Sequence, residues 1–389
     1  FGSKLLSARW PIILIGHLTL MVWYFILKTQ GYITADKTLL KNWFWLFIFS
    51  PLLGLGSMIG TPDVPLVFFW SLSFLVFQKL ILKPESSINY ILLGITLGLG
   101  FCSKYHIVLF VPLIFIFLIL NLNYFKQIRW RFVPLTLFFG LVFSFPVVFW
   151  NYQNNFQSFR FQWEHGFTKE PFNYQWPLLY LIGQLMIISP FLIPVLYRAH
   201  RTNPRSFHQS LNSIFGWGPL IFFLLTSFKG HVEANWPVIA VPPLLILSAT
   251  QLNNFLKLKK IHFTFFGFLY LLIFAYYLNP KIPFLHEKLK EPLKYSQLVP
   301  LIEKYEPLYA SKYQMASTLW SLTKKPFYKL PEMSRYDFFD TLLLKENVSI
   351  PFYLILERGD NLPGWILERK LSTQEISFTS EDFKILKIF

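Results

Sequence analysis

Apolar residues in this chain come in long unbroken blocks, not with the period-two or helical alternation of half-buried elements. Ten such runs stand at about 11–27, 40–59, 65–82, 89–102, 107–122, 132–150, 177–197, 212–227, 237–256 and 262–279. Each is roughly 14–21 residues long, and about 20 residues of helix cross a bilayer. The pattern predicts an α-helical polytopic membrane protein with about ten transmembrane helices. The fourth run is short and Gly-rich. The connections between runs take turns in character. One set is basic: Lys28 and Lys37; Lys79 and Lys83; Lys126, Arg129 and Arg131; Arg198, Arg201 and Arg205; Lys257, Lys259 and Lys260. The positive-inside rule makes these cytoplasmic. The other set is thinly basic and carries compact polar clusters, which places those clusters together on the outer face.

The pattern changes at Pro280. Pro280, Pro283 and Pro292 mark a linker, charges become frequent, and no later run is long enough to cross again. The predicted organisation is a membrane domain over 1–280, a linker over 281–294, and a small α/β soluble domain over 295–389. In the last, helical spacing covers Gln297–Tyr305 and Gln314–Thr323, with a short helix at Trp365–Lys370. Strands are predicted at Leu308–Ala310, Phe327–Leu330, Phe352–Leu356 and Phe383–Phe389. Ten spans and an outside start leave this domain outside. The chain begins at Phe1 and not Met, and the charge rule puts residues 1–10 on the outer face. A further span and loop are therefore expected before it.

Composition agrees with a lipid environment. Hydrophobic residues make up 54% of the chain and charged ones 14%, against about 25% charged in a soluble domain. The net charge of +16 is accounted for by loops beside spans, and no basic groove interleaved with stacking aromatics points to nucleic acid. Cys102 is the single cysteine, so no intrachain disulfide forms. His17, Gln78, Gln184 and Gln251 are isolated within runs, and no Asp, Glu or Arg lies mid-run. An ion-coupled transporter would need such a relay.

Four outer clusters carry candidate chemistry. Asp63 follows Thr61-Pro62 at a span end, where a carboxylate serves as base, orients a hydroxyl, or simply caps the helix that begins near Val64. Lys104, in Ser103-Lys104-Tyr105-His106, runs against the charge bias of its face. It is a point charge suited to a phosphate at headgroup level, or a snorkelling lysine. The segment 151–176 mixes Asn151, Arg160, Gln162, Glu164 and His165 with Phe156, Phe159 and Trp163. That mixture suits a sugar or an amphipathic headgroup, and equally an interfacial helix. Lys229-Gly230-His231-Val232-Glu233-Ala234-Asn235-Trp236 is the densest cluster. His231 and Glu233 leave a divalent metal open, on the weak footing of two ligands two apart.

Taken in order, these segments resemble the GT-C glycosyltransferases of the bacterial dolichyl-phosphate-mannose-protein mannosyltransferase-like group, which includes the lipid A aminoarabinose transferase. The segments that carry the resemblance are Thr61-Pro62-Asp63-Val64-Pro65, the stretch from Gly98 to Tyr105, Trp150-Asn151, Phe159-Arg160-Phe161-Gln162, His165-Gly166 and Asn235-Trp236-Pro237. In the tail, Lys312–Ser317 and Arg335-Tyr336-Asp337 are similar to the group's soluble-domain motifs. The resemblance implies a sugar donor on a polyprenyl phosphate, such as undecaprenyl phosphate, and an acceptor that is a lipid, a glycan or a protein. It implies inverting transfer at the periplasmic face of a bacterial inner membrane. On it, Asp63 and Lys104 are the catalytic candidates, and Lys229 and His231 join Lys104 near the phosphate. Asn151, Arg160, Gln162, Glu164, His165, Glu233, Asn235 and Trp236 shape the substrate pocket. The group's main base lies in a first outer loop that would precede Phe1. The alternatives are a lipid or polysaccharide transporter and a non-catalytic membrane scaffold.

Overall fold

The computed structural model describes residues 3–32, 37–167, 173–202, 206–279, 294–302, 304–334, 336–377, 380 and 382–389. The chain divides into two compact units, Phe1–Tyr270 and Leu271–Phe389. The division falls inside the last long helix. The expected linker 281–294 lies outside the described residues except for Lys294.

The first unit is helical throughout, as the apolar blocks predict. Its main helices are α1 (Ser3–Thr29), α2 (Lys37–Ile48), α3 (Asp63–Leu82), α4 (Ser87–Ser103), α5 (Phe110–Leu120), α6 (Leu122–Gln127), α7 (Val133–Gln153), α8 (Gln157–Phe167), α9 (Gln175–Ile188), α10 (Ile193–Thr202), α11 (Phe207–Ser227), α12 (Val241–Gln251) and α13 (Leu256–Leu278). Among the described residues, five helices are long and apolar enough to cross a membrane, and six if one bent pair counts as a span. The bent pair is the expected run 177–197: α9 and the helix after it meet at 76° around Ser189-Pro190. Ser87–Ser103 and Tyr105–Leu120 are apolar but shorter. The expected run 237–256 continues into the next through a 3-10 segment, Leu252–Phe255, so Lys257, Lys259 and Lys260 lie on a helix and not in a loop.

The largest departure is the expected run 40–59. Its helix stops at Ile48 and the chain turns through residues 50–55 into a short 3-10 segment, Gly56–Met58. Pro51 has no N–H to continue the helix. A Cβ on Gly54 would run into the Ile48 carbonyl, so only glycine fits this close turn. The Tyr270 hydroxyl meets the Ile48 carbonyl at 3.1 Å, at the end of the helix, and also the Ser50 carbonyl at 3.0 Å, which accepts the Gly54 N–H as well.

Packing explains the Gly-rich fourth run. Gly94 and Gly98 face α7 so closely that a Cβ on either would strike the backbone of Thr136 or Gly140. Small residues let helix backbones approach where lipid gives no hydrophobic drive. Around α3 the core is aromatic. Trp70, Phe110 and Phe215 meet with ring centroids 4.7–6.0 Å apart. Buried polar groups find one another: Gln30 contacts Gln78 and Asn212 at 3.1–3.5 Å, and Trp23 donates to Ser71 at 2.7 Å. Gln78, isolated in sequence, is thus a structural partner. The basic connections gather at one end of α3, α4 and α7: Asn89 bonds the carbonyls of Lys79 and Lys83, and the Arg129 N–H donates to Tyr90.

The second unit holds a four-stranded sheet of β1 (Leu308–Ala310), β2 (Phe352–Glu357), β3 (Thr373–Ile376) and β4 (Phe383–Ile388), in the order β1-β2-β4-β3. The β1–β2 pair is parallel and the others antiparallel. Both faces of β2 are buried: Phe352, Leu354 and Leu356 pack on one side and Ile355 on the other. A continuous apolar strand reads this way. The β3 edge is exposed and carries Thr-Gln-Glu-Ile, which leaves no apolar signal, and the sequence did not reveal it. The expected strand Phe327–Leu330 is reduced to one bridge, Ala310 to Lys329. Lys329 is fully buried there, held by Asp337 at 2.8 Å and Asp340 at 2.6 Å. A second network joins Glu357 to Lys312 at 2.6 Å, Lys294 at 3.1 Å and the Tyr295 hydroxyl at 2.7 Å. Arg335 lies outside the described residues.

Two outcomes follow for the second unit. Lys329→Ala strands two carboxylates without their cation and should cost about 3–5 kcal/mol. Hydrogen exchange on the full chain should show faster exchange across 308–388, and unchanged exchange there would contradict the role. Burial opposes the charge on Glu357, but its hydrogen bonds to Lys312, Tyr295 and Lys294 outweigh that and hold its pKa below the ordinary value. A lowered carboxyl pKa stabilises the fold above the unfolded value, about 4.3, and the contribution is lost as pH falls through the folded value. Glu357→Gln should therefore flatten the loss of stability on acidification below about pH 4.3.

Candidate functional site

Three of the predicted outer-face residues meet, each at the end of a helix. Asp63 is the first residue of α3, directly after the Thr61-Pro62 corner. Pro62 takes the capping position and Asp63 makes no cap. The carboxylate instead accepts from the Lys104 ammonium at 2.6 Å on one oxygen and from the Asn235 side-chain amide at 2.7 Å on the other. Lys104 ends α4 with an extended backbone, its own N–H still bonded to Gly100. An acid at a helix start and a cation at a helix end both sit where the peptide dipoles favour them. The pair is largely buried, with side chains 22% and 13% exposed. Among the described residues the ammonium makes this single side-chain bond, and it has three protons to give.

A cavity of about 140 Å³ adjoins the pair. Gly16, Thr19, Ser57, Thr61, Asp63 and Asn235 supply its polar or small lining, and apolar side chains the rest. A cavity of ~150 Å³ holds one six-membered ring. Ser57 comes from the turn that replaces the second half of the expected run 40–59. Its part in the cavity was hidden because that stretch is apolar enough to read as a span. A larger apolar cavity, about 480 Å³, lies between α4, α5 and α7. Phe101 and Ile107 line it, three residues before and three after Lys104.

The other candidates fall in different places. Asn151 is fully buried and acts locally. It donates to the Tyr105 hydroxyl and the Val147 carbonyl and accepts from the Phe159 N–H, at 3.0–3.3 Å. Tyr105 in turn bonds Ser158 at 2.8 Å and packs at an angle against Phe101 and Phe159. Asn151 and Tyr105 thus tie α7 and α8 to the Lys104 turn. Arg160, Gln162 and Lys229 are exposed. The side chains of Glu164 and His165 lie outside the described residues. His231 and Glu233 approach at 3.7 Å and are more than half exposed. Among the described residues, no group of three or more His, Cys, Asp or Glu is arranged to hold a metal. Trp236 packs on His106, ring centroids 5.5 Å apart, and His106 meets Phe223 at 5.1 Å. His106 is aromatic packing, and it anchors the segment that carries Asn235.

Residues 1–150 match the family model described as dolichyl-phosphate-mannose-protein mannosyltransferase. Two solved structures of ArnT from Cupriavidus metallidurans share the fold over 98% of this chain and 83% of theirs. One, bound to undecaprenyl phosphate, has a TM-score of 0.68, and the apo form has 0.66, each at 14% identity. The chain has the fold of these two structures. No curated protein matches the chain. The long apolar helices mark it as a membrane protein, and the small C-terminal sheet completes the expected architecture.

Asn151→Ala should leave the Phe159 N–H without its acceptor and take from the Tyr105 hydroxyl one of its two partners, at a cost of about 1–3 kcal/mol. Hydrogen exchange should rise in 157–163 and not in the basic end around 79–90. A uniform rise, or none, would contradict this assignment.

Proposed function

We propose that this protein transfers a sugar from a polyprenyl-phosphate donor to an acceptor at the periplasmic face of a bacterial inner membrane, with inversion at the anomeric carbon. The observation that carries the reading is the Lys104 ammonium, which makes one side-chain bond, to Asp63, among the described residues. It is fixed by Asp63 beside a cavity of one-ring size, and the residues three before and three after it line an apolar cavity able to take part of a lipid chain. A departing lipid phosphate needs a cation placed where its charge develops. The bond to the anomeric carbon breaks toward the phosphate oxygen while the acceptor oxygen bonds to that carbon, and the acceptor proton passes to a base. Lys104 stabilises the phosphate. Exposed Lys229, His231 and Arg160 add positive or hydrogen-bonding groups on the same face, with Gln162, Glu164, His165, Glu233 and Trp236 near the sugar or acceptor. The ArnT structure bound to undecaprenyl phosphate and the mannosyltransferase family model over residues 1–150 support the donor class. The fold leaves the sugar and the acceptor open.

The test uses the full chain in nanodiscs with undecaprenyl phosphate as probe. A charge-assisted bond is worth about 1.5–3 kcal/mol, so Lys104→Ala should weaken binding at least about tenfold. Lys79→Ala and Lys83→Ala, at the basic end, should leave it unchanged. In cells, Asp63→Asn and Lys104→Ala should abolish formation of a new glycosidic bond while the protein still folds. Equal binding by wild type and Lys104→Ala, or lipid movement with no new bond, would overturn the reading.

A further inference from the structure

Asn235 is set apart from its loop neighbours by what holds it. On its N-terminal side, the Ala234 carbonyl accepts from Gln184 of α9 at 2.9 Å. On its C-terminal side, Trp236 is packed against His106 and Phe223. Its own carbonyl accepts the Val238 N–H at 3.1 Å, which opens a 3-10 turn. The backbone is thus fastened on both sides, and the short side chain can reach one place, Asp63. Its orientation there follows from chemistry: a carboxylate only accepts, so the amide must present its NH₂. Asp63 then has one oxygen on Asn235 and the other on Lys104. A carboxylate held at one oxygen alone can turn about its last bond and carry the ammonium with it. Held at both, it keeps Lys104 on one bearing.

We propose that Asn235 is a positioning residue that works through Asp63: its amide fixes the carboxylate that aims Lys104 at the lipid phosphate. The inference rests on the donor reading above and deepens it. It moves Asn235 from sugar contact to the support of the cation, and it makes Asp63 a holder of Lys104 and not the acceptor's base.

The test is a cycle of four full-length proteins: wild type, Asn235→Ala, Asp63→Ala and the double variant. It is read by melting temperature without ligand and by affinity for undecaprenyl phosphate. Residues in one hydrogen-bond network couple, and independent contacts add. Asn235→Ala should weaken lipid binding about fivefold in the wild-type background and have almost no effect once Asp63 is gone. Additive effects in both readouts would overturn the proposal, since a direct substrate contact gives that result. Coupling in melting with no lipid binding by wild type would overturn the donor reading and leave the positioning contact standing.

Asn235→Asp supplies a second arm. Two carboxylates at hydrogen-bond distance repel when both are ionised, and they share a proton at lower pH. Among the described residues, the other charged or titratable groups on these segments are Lys104 and His106 on the turn after α4, and Lys229, His231 and Glu233 on the Asn235 loop. At about pH 8 this variant should bind as weakly as Asn235→Ala, by repulsion. Toward about pH 5 the introduced carboxyl takes up a proton and becomes a donor again, so the variant's affinity relative to wild type at the same pH should recover. A ratio independent of pH would contradict the proposal.

Discussion

The ion pair of Lys104 with Asp63, locked by Asn235, is the contact on which this end of the helix bundle depends. It joins the end of α4, the start of α3 and the segment that leads into α12. These are distant in sequence, and nothing but the bundle's antiparallel packing brings them together. The same packing puts the basic connections of α3, α4 and α7 at the far end. A membrane helix must satisfy its backbone internally, so chemistry is confined to the places where helices stop. In this protein the helix ends supply both the charges and the dipoles that favour them.

Much of the surrounding structure serves to keep those ends still. The aromatic core of Trp70, Phe110 and Phe215 seats α3 two turns below Asp63. The Gly94 and Gly98 face lets α4 lie close on α7, which fixes where Lys104 emerges. Asn151 and Tyr105 then pin the turn after Lys104 to α8. Two polar residues near the site are held within the protein. Asn151 is buried among protein partners, and His106 is packed between aromatic rings. Arg160, Gln162, Lys229, His231 and Glu233 are exposed.

The sequence was informative where length and charge decide the outcome. Apolar blocks of near-bilayer length gave most helices, and the alternation of basic and polar connections placed Asp63, Lys104 and Asn235 on one face. It failed where local chemistry overrode hydropathy. The stretch after Ile48 is as apolar as a span, but Pro51 and Gly54 turn it, and it lines the site with Ser57. The β3 strand has too few apolar residues to be seen, and Phe327–Leu330 has the look of a strand yet carries a buried lysine committed to two acids. Pairwise contacts were the least legible of all. Asp63 reads as a helix cap by position, and only the folded chain shows its two oxygens turned to Lys104 and Asn235. The family resemblance rested on the order of weak motifs. The fold shared with ArnT over 98% of the chain agrees with the architecture that the resemblance implied.

The central claim is that the lipid phosphate is received at the Lys104 end. A structure of the full chain in nanodiscs with undecaprenyl phosphate tests it most directly. The account predicts a phosphate oxygen about 3 Å from the Lys104 ammonium, with Asp63 still bonded to Asn235. A phosphate bound instead among Lys79, Lys83 and Arg129, at the opposite end of the same helices, would contradict it.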